Sequence, residues 1–177
     1  MQVLGLVGSP RKGGNTDILV DAILEGARGR GHVVRKIHLR DHAIGPCVDC
    51  RGCKQGANVC IVEDGMQQVY PLLDAADAIV FGTPVYWYGP SGHMKQMFDR
   101  LRPYFASGRL AGKKALLVSV AGDGPGEGDL LTEMFRRSLA ALKIEFAGHV
   151  IGTGYDPKDV LADRPAMERA AALGAAL

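Results

Sequence analysis

Val3-Leu4-Gly5-Leu6-Val7, followed at once by Gly8-Ser9-Pro10-Arg11-Lys12-Gly13-Gly14-Asn15-Thr16, decides how this chain is read. The first five residues are an apolar run suited to a buried strand. Beyond the loop, Ile18-Leu19-Val20 and Ile23-Leu24 fall at helical spacing. A strand therefore empties into a loop rich in glycine, hydroxyl and amide side chains that ends where a helix begins. The first amides of a helix have no partner inside it, and the helix dipole places partial positive charge there. A phosphate is the natural occupant of such a turn. Ser9, Asn15 and Thr16 supply short donors, Arg11 supplies charge, and glycines such as Gly14 let the backbone approach a ligand.

The spacing of the loop excludes two common phosphate binders. Its glycines do not fall on the G-x-G-x-x-G pattern of dinucleotide sites. Gly8 and Gly13 have the separation of a triphosphate loop, but Gly14-Asn15 stands where Lys and Ser/Thr are required. A monophosphate-sized ligand fits better. A ligand-free strand-to-helix turn would need one capping residue rather than four.

The chain has 177 residues, 47% of them hydrophobic, which suits one globular unit spanning residues 1–177 with a sheet covered on both faces. A formal net charge of +2 and the lack of a basic block argue against nucleic acid. No charged leader precedes the first strand, and no apolar run approaches the roughly 20 residues of a membrane helix. The expectation is a cytoplasmic protein.

Apolar runs and periodic segments alternate along the chain. Strands are expected at 3–7, 33–39, 78–82, 114–120 and 146–151. Helices are expected after the first loop, over about 63–74, from a Ser91 cap toward Arg102, over 130–142 and near the end. Five strands separated by helices imply right-handed crossovers and a mostly parallel sheet, whose ligands sit beyond the carboxyl ends of the strands. Three loops at that edge are rich in functional side chains. The one after the third strand, Thr83-Pro84-Val85-Tyr86-Trp87-Tyr88-Gly89-Pro90, holds the only tryptophan and two of the five tyrosines. Aromatics at a strand end suit a planar ligand; a hydrophobic satellite cluster or a subunit interface is the alternative. The loop after the fourth strand, with Ser119 and Gly122, offers backbone groups to a ring edge. A phosphate plus a flat ring system is the shape of FMN.

These residues resemble a known family. The segment from Gly8 to Thr16 is similar to the phosphate loop of flavodoxin-like NAD(P)H-dependent FMN reductases. Thr83-Pro84-Val85-Tyr86, with the helix containing Met94-Lys95-Gln96-Met97-Phe98-Asp99-Arg100, matches the same superfamily. The resemblance implies a flavodoxin-like three-layer α/β sandwich with a five-stranded parallel sheet in the order 2-1-3-4-5. It implies that Ser9, Arg11, Gly14, Asn15 and Thr16 hold the phosphate. Pro84, Val85, Tyr86, Trp87 and Gly89 would lie along the isoalloxazine, and Ser119, Ala121 and Gly122 would close its other side.

All four cysteines fall in one segment, as Cys47, Cys50, Cys53 and Cys60, a C-x2-C-x2-C-x6-C pattern. It resembles the compact motif of iron–sulfur flavoproteins in the same superfamily, where it carries a [4Fe–4S] cluster between the second strand and the next helix. Thiolates are the usual ligands of such clusters. Free or redox-sensing thiols and a structural zinc are the competing readings, although zinc more often uses two separated knuckles.

The resemblance implies an FMN-dependent oxidoreductase, with NAD(P)H as donor and a flavin or quinone as small-molecule acceptor. Hydride chemistry then belongs to the flavin, so no catalytic side chain is nominated. One rival is an iron–sulfur flavoprotein exchanging electrons with a ferredoxin-like donor. Another is a non-enzymatic flavin and thiol redox sensor. A homodimer or homotetramer is expected, because a half-exposed ring beside Trp87 leaves apolar surface to cover.

Overall fold

The computed structural model describes residues 1–177. Its strands are β1 (Gln2–Val7), β2 (Val33–His38), β3 (Ala78–Tyr86), β4 (Gly89–Pro90), β5 (Lys114–Ala121) and β6 (Glu145–Thr153). Its α-helices are α1 (Asn15–Gly29), α2 (Met66–Ala75), α3 (Gly92–Asp99), α4 (Arg102–Ser107), α5 (Asp129–Ala141) and α6 (Arg164–Ala175). Five strands pair in parallel in the order β2-β1-β3-β5-β6, and β4 pairs antiparallel with β3 alone. Discounting that short arm, this is the expected 2-1-3-4-5 order.

The central strands are buried on both sides, so their sequences show no polar alternation. The alternation survives in which core each side chain joins. Ile79 and Phe81 of β3 pack with Met66, Val69 and Leu73 of α2, Met94 and Met97 of α3, and Leu131, Phe135 and Leu139 of α5. Ala78 and Val80 pack on the other face with Leu19, Val20, Ile23 and Leu24 of α1 and Ala166 and Ala170 of α6. The two helices of this second layer meet at backbone contact. A Cβ on Gly174 of α6 would lie 1.9 Å from the Ile23 carbonyl of α1, so only glycine fits.

Chain direction opens a crevice at one sheet edge. From β1 the chain moves outward to β2, then returns to place β3 on the other side of β1. Pairing of β1 with β3 ends at Val7 and Gly82, where the two loops diverge. This reversal point is where open α/β sheets accept ligands.

The sheet has six strands rather than five. The segment from Pro84 to Pro90, expected as loop, instead extends β3 to Tyr86 and folds back as β4. The two residues at its tip, Trp87 and Tyr88, have φ of 51° and 61°. A two-residue turn with both φ positive has the character of type I′, whose twist matches the flanking strands. Asn-Gly is the usual signal for that turn, so its absence hid the hairpin from the sequence.

Candidate functional site

The loop between β1 and α1 is braced from within. The Gly13 amide donates to Asp17 Oδ2 at 2.7 Å, and the Gly14 amide donates to the Arg11 carbonyl at 3.3 Å. Asp17, buried in the first turn of α1, also receives Lys36 Nζ of β2 at 2.7 Å. Burial opposes charge on Lys36, but Asp17 and Asp21 outweigh it and raise its pKa above the ordinary lysine value. The Arg11 amide donates to Ser9 Oγ at 3.1 Å, and the Arg40 guanidinium reaches the Pro10 carbonyl. With Gly13 and Gly14 engaged, the amides at the start of α1 that lack intrahelical partners belong to Asn15, Thr16 and Asp17.

This loop forms one wall of a cavity of about 350 Å³ at the crevice, within the size range of small-molecule sites of roughly 300–1,000 Å³. Ser9, Arg11, Asn15 and Thr16 line it from the first loop, Pro84, Val85 and Tyr86 from the end of β3, and Gly122 from the loop after β5. These are eight of the thirteen residues the sequence nominated. The other five lie outside the lining. Gly14 caps α1 with its backbone; Trp87 stands at the hairpin tip, 96% exposed, and Gly89 lies in β4. Ala121 ends β5, where its carbonyl receives the Gly154 amide at 3.0 Å. Ser119 is fully buried within β5, and its Oγ has no hydrogen-bond partner.

The sequence reading missed a fourth loop. Gly154 and Tyr155, after β6, line the cavity together with Val120, Asp123 and Glu127. Asn15 Nδ2 donates to the Asp156 carbonyl at 2.8 Å, and Arg11 Nη1 donates to the Tyr155 carbonyl at 3.1 Å. The Tyr155 ring lies over Gly122, where a Cβ would come within 2.7 Å of it. A glycine-aromatic pair at the end of the last strand, Gly154-Tyr155, is the signal that was available.

The cysteine segment joins β2 to α2. Cys47, Cys50, Cys53 and Cys60 all border one small cavity of about 20 Å³, together with Arg51, Arg100 and Arg102. No three metal-binding side chains of the chain converge to coordination geometry as they stand, and the space admits only a water-sized group. Cys50 is exposed and Cys53 buried. Burial pushes the Cys53 thiol up. Burial acts the same way on Cys60, but hydrogen bonds from the Val62 backbone, Tyr70 and Arg100 outweigh it and hold that thiol below the ordinary range. As a donor set, four thiols among cations match an anionic thiolate cluster. Buried Arg100, whose Nε has no partner, adds an unsatisfied positive donor beside them.

A family model for NADPH-dependent FMN reductase matches residues 1–156. An iron–sulfur flavoprotein of Archaeoglobus fulgidus is 31% identical over 160 residues, covering 90% of this chain and 72% of that protein. The Bacillus subtilis protein YwqN, whose name describes an NAD(P)H-dependent FMN-containing oxidoreductase, is 30% identical over 181 positions, covering 98% and 96%. The solved structure of the Trp repressor binding protein from Bacillus subtilis superposes with a TM-score of 0.74 at 26% identity, covering 98% of this chain and 99% of that one.

Proposed function

Since the chain belongs to the NADPH-dependent FMN reductase family, we infer that it is a flavin oxidoreductase that holds FMN in the 350 Å³ crevice and takes electrons from NAD(P)H. The single observation carrying this reading is the meeting of a phosphate loop and a β3 aromatic arm at the reversal point of the sheet. FMN, when bound, supplies the hydride chemistry. Thr16 and Ser9 hydroxyls, the Asn15 and Thr16 amides and the Arg11 guanidinium receive its phosphate. Pro84, Val85 and Tyr86 support one side of the ring and Gly122 the other, with Tyr155 over Gly122. The hairpin tip, with Trp87 and Tyr88 exposed, faces the acceptor or a second copy of the chain, and the acceptor is a small flavin or quinone. Purified protein carrying about one FMN per chain and oxidising NADPH with added FMN or quinone supports this reading. No flavin after reconstitution overturns it.

A second reading is favoured by the cysteine cavity. The four thiols and the unpaired Nε of Arg100 suit a [4Fe–4S] cluster exchanging single electrons with the flavin and a ferredoxin-like donor. To receive it, the segment between Gly45 and Asp64 would open beyond its present 20 Å³. Anaerobic purification with iron, acid-labile sulfide and FMN measured on one sample separates the two readings. Iron and sulfide near four each favour the cluster; FMN without sulfide leaves the cysteines as thiols or a zinc site.

A further inference from the structure

Three charged side chains line the 350 Å³ crevice: Arg11, Asp123 and Glu127. The cation is engaged, since its Nη1 donates to the Tyr155 carbonyl at 3.1 Å. The two carboxylates are not. Neither forms an ion pair or accepts a hydrogen bond from the chain, whereas Glu133 of α5 holds Arg137 at 2.7 Å and Arg136 at 3.9 Å. Nor does the fold need them to start α5. Asp129 supplies the acid of that first turn, and its Oδ1 accepts the Leu130 amide at 2.6 Å. Two acids that serve no partner of their own therefore face a cavity built for a ligand.

The sheet fixes where they stand. β3 lies between β1 and β5, so the loop carrying Arg11 and the loop carrying the carboxylates rise from strands two spacings apart, about 10 Å. The first loop holds the head of α1, the natural place for a phosphate. Asp123 follows directly on Gly122, which forms the ring side of the crevice. Glu127 is half-buried in the short turn before α5. The acids thus belong to the wall away from the phosphate.

We propose that Asp123 and Glu127 set the redox preference of the crevice, holding oxidised FMN more tightly than its reduced, negatively charged form and so lowering the midpoint potential of the bound flavin. The inference rests on the FMN reading given above. An oxidised isoalloxazine is neutral. Delivery of a hydride, two electrons and one proton, leaves it with one negative charge until a further proton is taken up. Fixed charges of the same sign disfavour that state, and more strongly where the ring displaces water from between them. Repulsion of the FMN phosphate is the same before and after reduction, so it cancels in the ratio of the two dissociation constants. That ratio isolates the effect on the ring. A lowered midpoint makes the bound flavin the stronger reductant toward its acceptor.

The test uses the full chain as wild type, D123N, E127Q and the D123N/E127Q double variant. E133Q serves as a control that removes an acid outside the crevice. Fluorescence titration gives the dissociation constant for oxidised FMN, and anaerobic spectroscopic titration with dithionite gives the midpoint of bound FMN. A thermodynamic cycle with free FMN then yields the constant for the reduced form. Wild type is expected to bind reduced FMN about tenfold more weakly than oxidised, which places its midpoint about 30 mV below that of free FMN for a two-electron couple. The double variant is expected to return toward the free value, with each single variant between and E133Q unchanged. A wild-type midpoint at or above that of free FMN overturns the inference while leaving the FMN reading intact. So does a double variant with the wild-type midpoint, or one that loosens both redox states equally, which would place the acids' effect on the phosphate or the fold. An E133Q shift as large as that of the double variant overturns it too, by assigning the effect to net charge. Wild-type protein that binds no FMN overturns both.

Discussion

Ser91 Oγ donates to the Gly8 carbonyl at 2.6 Å, joining residues 83 positions apart. Gly8 opens the phosphate loop, and Ser91 is the N-cap of α3, where the same oxygen accepts the Met94 amide at 3.3 Å. The Ser91 amide in turn donates to Thr83 Oγ1 at 2.9 Å. The Ser91 hydroxyl thus fixes the loop after β1 against the start of α3, and the Ser91 amide fixes the start of α3 against the end of β3. S91A removes a cap and leaves a buried carbonyl without its donor. A loss of about 2 kcal/mol is expected, lowering the melting temperature by roughly 4–8 °C for a chain of this size. FMN affinity should fall severalfold because the two walls of the crevice lose their shared anchor. Melting curves of the apoprotein and a fluorescence titration with FMN check both effects. A variant that melts and binds like wild type would show that the bond carries no weight.

How much of this site the sequence disclosed follows from the range of the forces involved. The loop after β1 was legible as a wall of the crevice because its side chains are local: Ser9, Arg11, Asn15 and Thr16 lie within eight residues of one another and all reach the cavity. The strand order followed from the resemblance, and the Ser91 cap from its position before a periodic run. Tyr155 was missed because its place over Gly122 depends on how β6 sits beside β5, which no short window records. The β3–β4 hairpin was missed because its turn is made by residues that rarely adopt it. Ser119 was nominated by its place at a strand end for its backbone groups, and its side chain is buried.

The hairpin tip trades stability for exposed aromatic surface. Left-handed backbone costs a residue with a Cβ roughly 1 kcal/mol or more, and both Trp87 and Tyr88 adopt it. Replacing the pair by an Asn-Gly dipeptide supplies the residues that type I′ turns prefer. The W87N/Y88G double variant is therefore expected to be more stable than wild type by about 1–2 kcal/mol. If the tip serves the acceptor or a second copy of the chain, the same variant loses quinone or flavin reductase turnover while retaining FMN. Unchanged turnover, measured with stability in one preparation, would separate the turn from function.

His149 gives the fold a pH dependence near neutrality. It lies on β6 stacked against Phe146, with ring centroids 6.1 Å apart, and Arg136 sits over the same Phe146 ring. Burial first, then the cations of Arg136 and Arg169, hold its pKa below the ordinary 6.5. As pH falls through about 6.5 the unfolded chain takes up a proton that the folded chain refuses, so protonation favours unfolding. This contribution is complete above that pH and is lost below it. Melting temperature should decline from roughly pH 7.5 to 5.5, and the slope should be shallower in H149Q. An identical slope in the variant would assign the decline to other groups.

Asn15 and Thr16 are neighbours at the start of α1, yet the structure gives them different work, and two variants can separate it. Asn15 Nδ2 is bonded to the Asp156 carbonyl, and its Oδ1 accepts the buried Val160 amide at 3.4 Å. Both polar atoms are spent on holding the loop after β6, which carries Tyr155 to the cavity. Thr16 lines the same cavity and takes no part in holding that loop. N15A should therefore act through the fold: it strands a buried amide, lowers stability by about 1–3 kcal/mol even without ligand, and weakens FMN because Tyr155 is no longer held. T16V should act through the ligand: it removes a charge-assisted bond to phosphate, raises the FMN dissociation constant roughly 10- to 100-fold, and leaves the melting of the apoprotein near wild type. The same pair measured with riboflavin, which lacks the phosphate, adds a sign test. T16V should then bind like wild type, whereas N15A should remain impaired. Equal losses for both variants on both flavins would mean that the phosphate does not sit at the head of α1.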